Sequence, residues 1–160
     1  MAIVFRLNGE AYRHEGDPMA PLVDVLRRGV GLTGTKAVCR EGFCGACMVH
    51  VDGVPKLACL MPVGLAGGCA ITTIEGLGGA MQRLGERFPD ALRQAFIDED
   101  VVQCGMCFPG MVMSLGAWLA EHPRAGRAEI KEAILGNACR CSGYERIVDA
   151  VMLCLRRMGG

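Results

Sequence analysis

The chain has 160 residues, about half of them hydrophobic, and its 17 basic and 17 acidic side chains give a formal net charge of zero. That balance offers no basic face for a phosphate backbone and no polybasic run for a membrane surface, and 5% aromatics leave few stacking platforms for single-stranded nucleic acid. The length fits one domain of average size or two small ones. The start, Met1-Ala2-Ile3-Val4-Phe5-Arg6, lacks the charged and long apolar regions of a signal peptide, and no apolar run reaches the length of a membrane span. A cytoplasmic protein with no membrane insertion of its own is expected, with export beside a signal-bearing partner left open. Ten cysteines in a reducing compartment point to metal or redox chemistry rather than a disulfide framework.

In chain order, residues 3–7 read as a strand, Asn8-Gly9 as a hairpin turn and Glu10–His14 as the returning strand. From Pro21 the pattern turns helical, with Leu22, Val25 and Leu26 on one face and Gly29 and Gly31 ending it. Cys47–Val51 and Val54–Cys59 flank a second hairpin signal, Asp52-Gly53, and Ala70–Ile74 reads as a last strand. Gly76-Leu77-Gly78-Gly79 is the candidate linker, dividing the chain into units at 1–76 and 77–160. Helices are then expected near 79–87, 89–97, 109–121, 127–135 and 143–157. Pro109 suits a first helical turn, His122-Pro123 a stop and Gly136 a C-cap, while Ser142 to Glu145 matches a capping box.

Eight cysteines fall into two sets. Cys39, Cys44, Cys47 and Cys59 are spaced C-x4-C-x2-C-x11-C, the plant-type [2Fe–2S] pattern. A four-thiolate cluster is anionic, so it needs N–H groups aimed at sulfur and little side-chain bulk. Gly42, Gly45 and Ala46 leave that room, and a tight loop of amides can form an anion-binding nest. Cys104 and Cys107 form C-x2-C before the Pro109 helix, and Cys139 and Cys141 form C-x-C before the last helix. Two helix N-termini, whose dipoles favour thiolates, therefore converge on the second set. Zinc is the rival for both sets, but zinc sites usually pair C-x2–4-C knuckles, and zinc has no redox chemistry. Cys69 and Cys154 remain and read as small buried hydrophobes.

The stretches Cys39-Arg40-Glu41-Gly42-Phe43-Cys44-Gly45-Ala46-Cys47, Gln103-Cys104-Gly105-Met106-Cys107-Phe108-Pro109-Gly110 and Gly136-Asn137-Ala138-Cys139-Arg140-Cys141-Ser142-Gly143-Tyr144 resemble the small iron–sulfur subunit of the xanthine dehydrogenase/aldehyde oxidase family of molybdenum hydroxylases. The resemblance covers nearly the whole chain. It implies an α+β chain, with a β-grasp ferredoxin-like domain followed by a four-helix bundle, each binding one [2Fe–2S] cluster. It further implies a large partner subunit with a molybdopterin cofactor and electron flow onward to an FAD subunit or another acceptor. By the same resemblance Gln103 hydrogen-bonds the pterin, and Cys141 places the second cluster beside it. Phe108 stands where the family usually has Thr or Ser, Ala138 where Leu is common, and Ser142 in place of a common Thr. None of these removes a ligand.

His14, His50 and His122 carry no ligand spacing and read as surface or structural residues. Met106, Met111 and Met113 read as packing. No nucleophile elbow, P-loop or dinucleotide fingerprint is present, so no catalytic residue is expected on the chain itself. The expected function is electron relay within a hydroxylase complex. Its rivals are a free-standing two-cluster ferredoxin, which would run as a lone monomer on gel filtration, and a zinc-stabilised interaction module, which metal analysis would reveal.

Overall fold

The computed structural model describes residues 2–80 and 88–159. Strands β1 (Ile3–Leu7) and β2 (Glu10–His14) pair antiparallel, Ile3 opposite His14 and Leu7 opposite Glu10. The turn between them has positive φ at both Asn8 (52°) and Gly9 (95°), the type I′ geometry that an Asn-Gly pair favours. Strands β3 (Met48–Val51) and β4 (Val54–Leu57) repeat the device at Asp52-Gly53. Strand β5 (Ala70–Thr72) lies parallel to β1 and antiparallel to β3, giving the sheet order β2-β1-β5-β3-β4. Alternation along β1 turns Phe5 and Leu7 inward onto Leu22, Val23, Val25 and Leu26 of the helical segment that crosses the sheet. This is the β-grasp arrangement.

The helical segment differs from the expectation in one respect. Helix α1 (Leu22–Asp24) passes into a π-helical stretch, Val25–Val30, that contains Gly29, and only Gly31, with φ 84°, ends it. The Ala70–Ile74 strand stops at Thr72, and Ile74–Gly76 forms a 3₁₀ turn. The expected linker is helical as well. Leu77–Ala80 forms α2, and Leu77 belongs to the second hydrophobic core. Of the helix expected at 79–87, residues 81–87 lie outside the described residues.

Four longer helices follow: α3 (Phe88–Asp98), α4 (Phe108–Glu121), α5 (Arg127–Ala133) and α6 (Glu145–Arg157). They share a core of Leu92, Phe96, Met111, Leu115, Ile130, Val148 and Val151, among others. The bundle is clasped outside by Arg127, which binds both Glu145 and Asp149, and by Lys131 on Glu145. Two expected caps are not used. Helix α5 ends at Ala133 with Ile134 as its C-cap, before Gly136, and the N-cap of α6 is Tyr144 rather than Ser142. The Ser142 hydroxyl contacts the Cys139 sulfur at 3.1 Å and accepts from Tyr144 N at 3.4 Å rather than from Glu145 N, and the Glu145 carboxylate is taken by Arg127 and Lys131. The capping-box elements exist but bond elsewhere.

The halves meet where α4 packs on β3 and β4. There His50 is 5% exposed, and its Nε2 lies 2.8 Å from the Met113 carbonyl oxygen. Burial holds the His50 pKa below its ordinary 6.5, opposed by the Met113 contact. A depressed histidine pKa stabilises the fold fully above that value, and the contribution is lost as pH falls. The wild-type chain should therefore lose stability from pH 7.5 to pH 5.5, by at most about 1.4 kcal/mol from this group, because pH 5.5 lies one unit below the ordinary value of 6.5. In paired urea titrations, His50→Gln should lose less over that interval.

Candidate metal centres

The first loop, 39–47, is shaped by backbone that glycine allows. Gly42 and Gly45 have φ of 82° and 68°, and the chain curls so that successive amides face inward. The Glu41 and Cys44 N–H groups each donate to Cys39 Sγ at 3.4 Å. These amides, Glu41 first, pull the Cys39 thiol down to about 6. Cys47 lies at the other side of the loop, buried under the sheet, and burial pushes its thiol up to about 12. It touches Cys59, delivered by the chain leaving β4, while Cys39 touches Cys44.

The second set is built the same way. Cys107 is the N-cap of α4, with Pro109 in the first turn. Burial drives its thiol up to about 12. The Met106 amide, the leading influence, lowers the Cys104 thiol. Burial works to raise Cys139, but the Ser142 hydroxyl and the Ser142 and Cys141 amides bring it below its ordinary value. Cys104 and Cys141 face each other with sulfurs 3.6 Å apart, and Cys107 contacts Cys139. Helix α6 begins four residues after Cys141, so its N-terminus approaches the set less directly than that of α4.

In each set the sulfurs gather two by two. Among the described residues, no three His, Cys, Asp or Glu side chains close around a single metal-ion position. Two ligands on one tetrahedral metal with bonds of about 2.3 Å sit about 3.8 Å apart. Each pair therefore suits two ligands of one metal, and two adjacent pairs suit a two-iron cluster. The donors fit as well, because amides aimed at sulfur stabilise an anionic centre. Burial favours the protonated thiols of Cys47 and Cys107, which would have to give up their protons to solvent to bind iron as thiolates.

Exposure differs between the sets. Cys104 and Cys141 are exposed, with Gln103 exposed beside them, whereas Cys47 is buried. Gln103 Nε2 donates to the Cys141 carbonyl oxygen at 3.0 Å, which fixes the amide at that edge. Phe108 turns into the bundle, edge-on to Phe96 with centroids 4.7 Å apart. Met111 and Met113 are buried as expected, but Met106 is exposed. Cys154 is fully buried, while Cys69 is only half-buried.

Several contributors were not singled out from sequence. Ala138 N donates to the Cys44 carbonyl oxygen at 2.9 Å, and Asn137, 2% exposed, reaches the Gly45 carbonyl oxygen through Nδ2 at 3.3 Å. A Cβ on Gly110 would stand 2.1 Å from the same Gly45 oxygen. These contacts stitch the two cysteine loops together. Tyr144 is held at φ 66° in a tight turn closed by Glu145 N to Gly143 O, and its hydroxyl accepts from Cys139 N at 2.8 Å. A positive φ at a bulky residue was the only local signal available, and sequence does not display it.

Comparison with known proteins gives two family models. A 2Fe-2S iron-sulfur cluster binding domain matches residues 5–64, and a [2Fe-2S] binding domain matches residues 73–152. The small FeS subunit of nicotinate dehydrogenase from Eubacterium barkeri is 40% identical over 157 residues, covering 98% of this chain and 96% of that protein. Aldehyde oxidase 2 of Cavia porcellus is 37% identical over 92% of this chain, which spans only 12% of that longer protein. The crystal structure of quinoline 2-oxidoreductase from Pseudomonas putida 86 contains a chain with a TM-score of 0.88 and 39% identity, covering 99% of this chain and 96% of that one.

Proposed function

The chain belongs to the iron–sulfur subunits of the molybdenum hydroxylases, and on that premise we propose which residues hold its two [2Fe–2S] clusters and which faces meet its partners. Cys39 with Cys44 and Cys47 with Cys59 hold the first. Cys104 with Cys141 and Cys107 with Cys139 hold the second. The observation that supports this assignment is the pairing of sulfurs, two by two, in both sets. The division at 1–76 and 77–160 gives one cluster to each unit. Each cluster, when bound, supplies a site that stores and releases one electron.

The rest of the chain orients and connects the two sites. The Cys44 carbonyl, bonded to the amide of Ala138 next to Cys139, gives a short connection between the ligand sets. The exposed edge of Cys104, Cys141 and Gln103 faces a large molybdopterin-bearing subunit. There the Gln103 amide, pinned through its nitrogen, presents its oxygen to a pterin donor. Beside the first set Phe43, 78% exposed, and Leu60, neighbours in sequence of Cys44 and Cys59, add apolar surface. That surface docks the electron acceptor, an FAD subunit or another redox protein. The complex works in the cytoplasm, and its substrate is chosen by the partner's pocket.

Iron and acid-labile sulfide analysis of the purified chain tests the reading, with four of each expected per chain by the stoichiometry of two clusters. The reduced protein should give two distinct paramagnetic signals, and Cys44→Ser should perturb one of them. Zinc without sulfide, or loss of both signals from that one substitution, would defeat the assignment.

A further inference from the structure

Arg40 follows the ligand Cys39 directly and sits at φ 61°, a left-handed conformation that glycine takes without steric cost and a long side chain does not. It is held there by a two-pronged bond to Asp24 at the end of α1. Nη1 reaches Oδ2 at 2.9 Å and Nη2 reaches Oδ1 at 2.8 Å. The bond to Asp24 raises the Arg40 pKa, and Cys59 acts in the same sense, so the guanidinium also feels a second ligand sulfur. The first cysteine set thus has a fixed cation beside it, and a carboxylate bonded to that cation.

We propose that the Arg40–Asp24 pair sets the reduction potential of the first cluster. One-electron reduction adds a negative charge at that site. The guanidinium favours the added charge, and the Asp24 carboxylate offsets part of that favour. Net charge and nearby dipoles are among the influences that position such potentials. The proposal rests on the ligand assignment above and adds to it a residue pair that touches no iron.

The test is a redox titration of the full chain with its clusters in place, followed by electron paramagnetic resonance at low ionic strength. The signals are assigned beforehand with Cys44→Ser. At a fixed applied potential, Arg40→Gly and Arg40→Gln should each lower the reduced-to-oxidised ratio of the first cluster about threefold. By the one-electron conversion of about 59 mV per tenfold change, that is about 30 mV. Asp24→Asn should raise the ratio by a similar factor, and Arg40→Lys, which keeps the charge, should stay near wild type. The second cluster should not move, and the shifts should shrink in high salt. An unchanged first cluster in Arg40→Gly overturns the proposal, as do shifts of the same sign in Asp24→Asn and Arg40→Gly. Equal movement of both clusters also overturns it. A wild-type protein without two signals would instead fail the ligand assignment, and this inference with it.

Discussion

Replacing Gly110 with alanine should destabilise the cluster-loaded chain by about 2–4 kcal/mol and weaken communication between its two halves. The new Cβ would lie 2.1 Å from the Gly45 carbonyl oxygen and 2.9 Å from Ala46 Cα. Both are backbone atoms, so no side chain can rotate away. Either α4 or the first cysteine loop must shift, a cost typical of overpacked interiors. That shift would strain the Ala138–Cys44 and Asn137–Gly45 hydrogen bonds, which depend on the same close approach. Chemical denaturation measures the first effect, and the magnetic interaction between the two reduced signals measures the second. Gly78→Ala is the control. Gly78 lies in α2 with nothing within 4 Å of its would-be Cβ, so alanine there should be neutral or gain up to about 1 kcal/mol. Equal stability of the two variants would mean the halves do not meet as described.

Removing iron and sulfide should produce the larger loss. The loops holding Cys39, Cys44 and Cys47, and Cys139 and Cys141, contain no regular helix or strand, so ligation would add to the few hydrogen bonds that hold them. Binding free energy of roughly 10 kcal/mol per structural metal site becomes folding free energy when the site does not preexist. The stripped chain should melt at least about 10 °C lower in calorimetry. Its pH response follows from the buried thiols. Cys47 and Cys107 are pushed up from 9.0 to about 12. A raised folded value stabilises the metal-free fold below pH 9, and that contribution drains away as pH climbs toward 12. Cluster rebuilding runs the other way, because ligation must displace those protons, and it should go further at pH 8.5 than at pH 6.5. A stripped chain that melts with the loaded one would show that these cysteines hold nothing.

The parts of the fold written in short-range pattern were legible. The hairpins at Asn8-Gly9 and Asp52-Gly53 follow from residues that accept positive φ between alternating strands, and the extents of α3, α4 and α6 follow from apolar periodicity with Pro109 and Pro123 at the ends of α4. Errors arose where a residue with a local use was claimed by a distant partner. Ser142 reads as a cap until its hydroxyl meets the Cys139 sulfur and Tyr144 N instead. Gly76 to Gly79 reads as a break until Leu77 finds the second core. Gly29 reads as a stop, but the wider π turn carries the chain past it.

At the cysteine sets, spacing alone brought out the eight residues that the fold then gathers. It could not bring out what lies between the sets. Asn137 and Gly45 are 92 positions apart, and neither has a local pattern that names the other. Arg40 likewise carries no local pattern that points to Asp24, 16 positions upstream. Contacts of this kind are properties of the assembled surface rather than of any window of sequence.

The two glycines that face each other across the joint also bear on how such a chain can be rearranged. A ferredoxin-like front half spliced onto a helical back half from a distant relative would have to bring matching bare backbone on both sides. One stray methyl group would keep the pieces from seating. The two modules are therefore a lock and its own key, and a hybrid builder must trade them as a set.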